Sequence, residues 1–482
     1  MSQNKHIQNV PAADEKGQGP VCIRNESMQP EKKESEIPGT TDNEVNIIPQ
    51  VPIESAPDGG YGWVCATAAA VINAHSWGFN SAYAVFLAYY LKNDVFPGGS
   101  PLVYAFVGSL SIAFLLLVSP IATMAVGKIG IRKTMFCGAV LEAASFVCAS
   151  FATHIWHLFL TQGVLFGMGL GLLFIPTAAV VPQWFTRRRS LASGISLCGA
   201  AAGGAVYSLA AGAMIRNLGL NWTFRTFGIM GFVVNTTCII LIKDRNKAIG
   251  SNQSAFQVSL FKRVEYCLLI GWSGFTMLGY FVLIFTLANY ANVIGLNSSQ
   301  AASVSALFNL GQAIGRPLIG YFSDTTGRMN MAASMTFLAG LFPLVIWTFS
   351  KNYGVLIFFA IIEGLVAGNF WATSGPLMAE VLGLRDTAAG LSLMWLSMVL
   401  PSTFSEPIAL EIFTNTGSYI GTQLFTGFVY IAAAICMTLL RGWKLGQEEL
   451  HHPVENGPRS VQCHRRVGFG VIFRRCLRWK TL

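Results

Sequence analysis

The sequence predicts an all-α membrane protein of about twelve transmembrane helices arranged in two six-helix halves. Three observations lead there. Charged residues make up 11% of the 482 and hydrophobic ones 53%, against roughly 25% charged in soluble chains, so too few polar groups exist to cover a water-facing surface. The apolar residues fall in long runs, and about 20 in succession cross a 30 Å hydrocarbon core. The runs form two sets of six on either side of the longest polar interruption, 243–264.

Residues 1–57 come first, with nine acidic and five basic side chains. They read as a disordered tail without the apolar core of a signal peptide, so the first span must itself direct insertion. The first half, 58–242, holds spans near 62–91, 102–126, 134–152, 158–181, 191–214 and 222–242. The second half, 265–440, holds spans near 265–293, 301–322, 332–349, 354–378, 388–412 and 419–440, followed by a basic tail at 441–482. The first span is long enough to be kinked or to begin outside the core. The eleventh is the weakest, because it contains Pro401, Glu406 and Pro407.

Orientation follows from the basic residues. Lys128, Arg132 and Lys133 lie between spans two and three, Arg187, Arg188 and Arg189 between four and five, and Lys243, Arg245, Lys247, Lys262 and Arg263 in the central loop. The opposite loops hold Lys92 with Asp94, then Arg216, then Lys351. The positive-inside rule therefore puts both termini in the cytoplasm. The expected membrane is the plasma membrane, with a vacuolar or other internal membrane as the alternative. The same distribution explains the formal charge of +9 without nucleic acid. Ten scattered cysteines give neither a disulfide nor a zinc framework. With no phosphate loop or nucleophile elbow, no cofactor, metal or enzymatic activity is expected. The lipid bilayer is the one certain partner, and the sequence fixes no oligomeric state.

Two loops repeat a motif. Gly320, Asp324, Gly327 and Arg328 stand in GYFSDTTGR after span eight, and Lys128, Gly130 and Arg132 occupy the equivalent loop after span two, where Gly127 replaces the aspartate. The pattern resembles the signature loop of the major facilitator superfamily, and the resemblance implies a two-half carrier in which this loop acts as a gate. The degraded copy at Gly127 is expected to tolerate change.

A second resemblance begins at Asp58, where Asp58, Gly59, Gly60, Tyr61, Gly62 and Trp63 open the first span. Together with QWFTRRRSLASGISLCGAAAGG from Gln183 to Gly204, and with Arg316 before Pro317 in span eight, it resembles the monocarboxylate transporter family. Asp58 would suit the positive end of the first helix, and Trp63 a membrane interface. The small residues from Gly194 to Gly204 would allow close helix approach. The proton-coupled animal members have a lysine where alignment places Ser81 and an aspartate where it places Gln312. The resemblance therefore points to the fungal branch.

Ionisable residues inside a membrane cost roughly 2.5–3.5 kcal/mol on insertion scales, so each invites a role. Arg316 can grip a carboxylate through two hydrogen bonds. Gln312, Asn309, Asn80, Ser81, Tyr83 and Trp395 are the other candidates for substrate contact. Glu142, Glu363, Glu406 and His75 are candidates for binding a coupling proton. The expected function is secondary transport, by alternating access, of a monocarboxylate or related small organic anion. The alternatives are export of a fungal secondary metabolite, import of a larger ring-bearing compound, or nutrient sensing by a transporter-like protein.

Overall fold

The computed structural model describes residues 56–96 and 101–451. Of the tails expected at 1–57 and 441–482, residues 1–55 and 452–482 lie outside the described residues, while 441–451 continue the last helix. Sixteen α-helices follow one another there. In the first half they are α1 (Tyr61–Asn93), α2 (Pro101–Leu117), α3 (Ser119–Ile129), α4 (Ile131–Ala149), α5 (Ile155–Leu158), α6 (Phe166–Val180), α7 (Arg189–Leu218) and α8 (Leu220–Leu241). The second half continues with α9 (Val264–Val293), α10 (Ser298–Thr326), α11 (Arg328–Val345), α12 (Tyr353–Ala367), α13 (Asn369–Leu382), α14 (Thr387–Ser397), α15 (Val399–Thr416) and α16 (Ile420–His451).

Eight continuous stretches are long and apolar enough to cross a membrane, and α2 with α3 makes a ninth, bent by 43°. The other long helices, α1, α4 and α10, fall short of that measure. Span one is a single helix of 33 residues. The helix breaks occur elsewhere, at Val118 in span two, Gly368 in span ten and Met398 in span eleven. A π-helical turn, Phe159–Leu165, joins α5 to α6. Broken helices at mid-depth are tolerated where neighbours satisfy the freed backbone groups. Here the breaks sit beside the seam between the halves. The eleventh span, despite its prolines, is helical from Thr387 to Thr416 apart from the break.

Small residues set the spacing of the helices. At Gly199 and Gly203 of α7, an added Cβ would collide with the backbone of Ala70 and Ala74 in α1, so these two helices meet backbone to backbone. In lipid, such close packing replaces the hydrophobic drive available in water. Asn73 of α1 donates to the Ser196 carbonyl of α7 at 3.0 Å across the same contact.

The hydrogen bonds that join the halves, among the described residues, all lie between mid-depth and the end bearing the basic loops. They run from Ser119 to the Ser392 carbonyl, from Arg316 to the Leu197 carbonyl, and between the α7 start and the α10–α11 turn. This conformation is closed at the basic end.

Candidate functional site

The opening motif and the Gln183–Arg189 stretch prove to be one structure. The Asp58 carboxylate accepts from the backbone N–H groups of Thr186 at 2.6 Å and Arg187 at 2.8 Å, and the Asp58 N–H donates to the Trp184 carbonyl. Asp58, placed from sequence near the positive end of the first helix, does not bond that helix, and α1 has no side-chain cap. A φ of 57° at Asp58 marks the turn where the carboxylate reaches the loop before α7 instead. Burial works to raise this carboxyl, but the backbone donors of Thr186, Arg187 and Arg188 and the Arg187 charge outweigh it and hold it below the ordinary 3.8. The stabilisation is thus complete above the unfolded value and is lost only as pH falls through the lower folded one, outside the neutral range. Around it, Gly62 leaves room for Trp184 and Phe185, Trp63 meets the Phe185 ring edge-on at 4.8 Å, and Tyr61 donates to the Leu241 carbonyl.

The signature loop clasps the opposite half. Asp324 at the end of α10 accepts from the N–H groups of Ser190 at 3.0 Å and Leu191 at 2.9 Å, capping the positive end of α7. Arg328 bridges Asp324 at 3.1 Å and Glu380 at 3.5 Å and donates to the Thr186 carbonyl at 2.6 Å. Gly320 lies where any Cβ would strike the Ser190 carbonyl, and Gly327 takes the positive φ that turns α10 into α11.

The first copy of the motif does something different. Gly130 makes the matching turn and Lys128 is exposed. Arg132 donates to the Ile242 carbonyl within its own half. A Cβ on Gly127 would come within 2.9 Å of the Gln253 Cβ, so the expected tolerance at Gly127 is contradicted by the packing. The central loop occupies that space and spans the seam: Gln183 donates to Asn246, while Asn252 binds the Arg385 carbonyl at 2.7 Å and the Asp386 carboxylate at 3.0 Å. Gly127→Ala should lift this loop, and trypsin cleavage at Arg245 and Lys247 should accelerate. Adding Gln253→Gly should restore protection, and equal cleavage of all three proteins would show that the contact does not hold the loop.

Arg316 lies ten residues, about 15 Å, from the basic end of α10, which is mid-depth for a 30 Å core. It is 5% exposed. One terminal nitrogen donates to the Leu197 carbonyl of the opposite half at 2.8 Å, and the other reaches Gln312 at 2.7 Å and the Tyr280 hydroxyl at 3.3 Å. Tyr280 also donates to Gln312 at 2.7 Å, and Gln312 extends weakly to Asn309 at 3.5 Å. Nε has no acceptor among the described residues. Every partner is neutral. Gly368, at the break in span ten, leaves space against the guanidinium stem.

Two halves of six spans, a loop that bonds one half to the other and a buried cation at mid-depth describe a carrier, and comparison with known proteins agrees. The Major Facilitator Superfamily pattern matches residues 65–285 and 269–479. The chain belongs to the major facilitator superfamily. This facilitator is 30% identical over 448 residues to the Probable transporter MCH2 of Saccharomyces cerevisiae, covering 91% of this chain and 94% of that protein. It is 32% identical over 409 residues to the Uncharacterized transporter ESBP6 of the same yeast, covering 82% of this chain and 61% of that one. The MFS transporter asaE of Aspergillus flavus is 25% identical, with 84% and 92% covered. The solved proton:xylose symporter XylE shares the fold at a TM-score of 0.64 and 12% identity, over 79% of this chain and 95% of that one. The facilitator is therefore a multi-pass secondary transporter and not an enzyme.

The remaining candidates do not converge on Arg316. Asn80 accepts from Ser111 at 2.9 Å and Tyr83 donates to the Tyr104 carbonyl at 2.7 Å, so both serve the α1–α2 contact inside the first half. Ser81 binds the Trp77 carbonyl of its own helix. Trp395 does face the seam. The four proton candidates are on four helices. Glu142 accepts from Asn235 of α8 at 2.8 Å, His75 bonds the Val71 carbonyl one turn back, and Glu406 is half-buried on α15. Glu363 on α12 is fully buried with both oxygens unpartnered among the described residues. Sequence reasoning missed Tyr280, Trp77, Phe174 and Trp371, since nothing in their spacing distinguishes them from lipid-facing aromatics.

Proposed function

We propose that this facilitator carries a small organic anion of the monocarboxylate class, held at mid-depth by Arg316. The observation that carries the reading is a buried guanidinium whose partners are all neutral. A buried charge normally needs a counter-charge, and a carboxylate arriving from the far end would supply one with two-point geometry.

The geometry also supports a coupling between binding and movement. Arg316 holds the opposite half through the Leu197 carbonyl, and an anion that draws the guanidinium to itself competes with that bond. Binding thereby loosens the seam that must part for the basic end to open. The basic end is cytoplasmic in this reading, with both termini on that side of the plasma membrane. The resemblance to the fungal branch of the monocarboxylate transporters supports the substrate class. Glu363 is the candidate for a coupling proton, being buried without a donor.

The test is an uptake and efflux comparison, across a panel of labelled organic acids, sugars and amines, between cells lacking and overexpressing the protein. The reading requires a carboxylic acid to be the compound whose flux changes. Flux of neutral or cationic compounds alone would overturn it.

A further inference from the structure

Beside Arg316, the seam holds a cluster of aromatic rings that anion binding alone does not explain. Trp371 of α13 and Trp395 of α14 stack with centroids 5.8 Å apart and planes 15° from parallel. From the first half, Trp77 of α1 meets Trp371 at 5.4 Å, and Phe174 of α6 meets Trp395 at 5.5 Å, both edge to face. Phe174, Trp371 and Trp395 close around a small cavity of about 20 Å³ that Ser193 and Ser196 also line, room for about one water. Tyr280 ties this cluster to the cation, bonding Arg316 with its hydroxyl and meeting the Trp371 ring at 6.0 Å.

The polar atoms of the cluster are unbalanced. The indole N–H groups of Trp77 and Trp395 have no acceptor among the described residues, and neither do Arg316 Nε and the Ser193 hydroxyl, while the Trp371 indole is directed at the Tyr280 hydroxyl. Trp371 and Trp395 are 6% and 1% exposed. A buried indole N–H usually has a partner, and orphaned buried donors are destabilising. Three of these four groups can only donate. They gather on both sides of one seam, next to an uncompensated cation.

We infer that the substrate is a planar, ring-bearing carboxylate, its acid group on Arg316 and its ring among Trp77, Phe174, Trp371 and Trp395. Edge-to-face contacts between the halves hold the rings together in this closed conformation. A ligand ring entering as the halves part takes over those contacts, while acceptor atoms on its edge meet the indole N–H groups. A short acyclic acid meets the cation but neither the rings nor the donors. The inference rests on the anion reading and narrows it.

The experiment uses the full chain, purified into lipid nanodiscs, and measures binding of three probes: trans-cinnamate, propionate as the acyclic acid, and cinnamamide as the neutral ring. Cinnamate should bind about tenfold more tightly than propionate, the scale of one or two aromatic contacts. That preference should fall to within about threefold in Trp371→Leu and Trp395→Leu, by the same contacts. Trp395→Phe, which keeps the ring and removes the N–H, serves if the leucine variants do not fold, and should show an intermediate preference. Equal binding of cinnamate and propionate, no binding of either acid, or a preference untouched by the substitutions would overturn the ring site. Arg316-dependent propionate binding without ring preference would do so while leaving the anion reading standing. Cinnamamide binding as tightly as cinnamate, with the preference still dependent on Trp371 and Trp395, would defeat the anion reading and support the ring cluster alone.

Discussion

Arg316→Ala should abolish transport of the carried anion, and Arg316→Lys should lose most of it while folding and reaching the membrane normally. The guanidinium contributes a charge and a fork. Lysine keeps the charge as a compact point with rotatable donors but cannot hold a carboxylate in two-point register. Hydrogen bonds involving a charged group contribute about 1.5–3 kcal/mol each, so losing one lowers transport roughly tenfold to a hundredfold. Alanine removes both contributions. The fold should survive either change, because Tyr280 and Gln312 keep their own 2.7 Å bond and Leu197 loses only an interhelical donor to its carbonyl. Surface level, melting temperature and initial rates of flux for the anion found by the uptake comparison decide the matter. Unchanged affinity and rate in a normally expressed Arg316→Lys would mean that the arginine serves packing between α7 and α10 alone.

Arg316 could be chosen from sequence because an arginine in an apolar run is rare and costly, and that argument needs no partner. The two halves were legible for a similar reason, since span length is dictated by the bilayer. What the chain hides is the rotation of each helix about its own axis. Asn80 and Tyr83 follow Arg316 in polarity but face α2 rather than the seam. Trp371 looks like any other membrane aromatic until α13 and α14 bring it face to face with Trp395. The motif at Asp58 was visible as a string, whereas its partners at Thr186 and Arg187 depend on the α1–α7 packing. Gly127 looked like decay of a motif. In the fold it is the space that the central loop fills, and only the position of Gln253 shows it.

Asp324→Asn should slow turnover about tenfold to a hundredfold while leaving affinity for the anion nearly unchanged. The carboxylate accepts from two N–H groups at the start of α7 and from Arg328, so the substitution removes a charge-assisted cap and one of two acceptor oxygens. At about 1.5–3 kcal/mol, the loss acts only on the conformation closed at the basic end and shifts the conformational equilibrium by a comparable factor. Arg316 lies eight residues away on the same helix, about 12 Å, and keeps its own partners. The maximal rate therefore falls and the half-saturating concentration does not. Asp58→Asn is the informative control, because that carboxylate binds Thr186 and Arg187 within its own half. It should lower thermal stability without changing how readily the basic end opens. Accessibility of a cysteine placed at Ser190 to a polar thiol reagent, in protein purified into lipid nanodiscs and in a background free of reactive cysteines, reads that opening directly. It should rise in Asp324→Asn and stay low in Asp58→Asn. Full turnover and low accessibility in a correctly inserted Asp324→Asn protein would reduce the loop to a turn between α10 and α11.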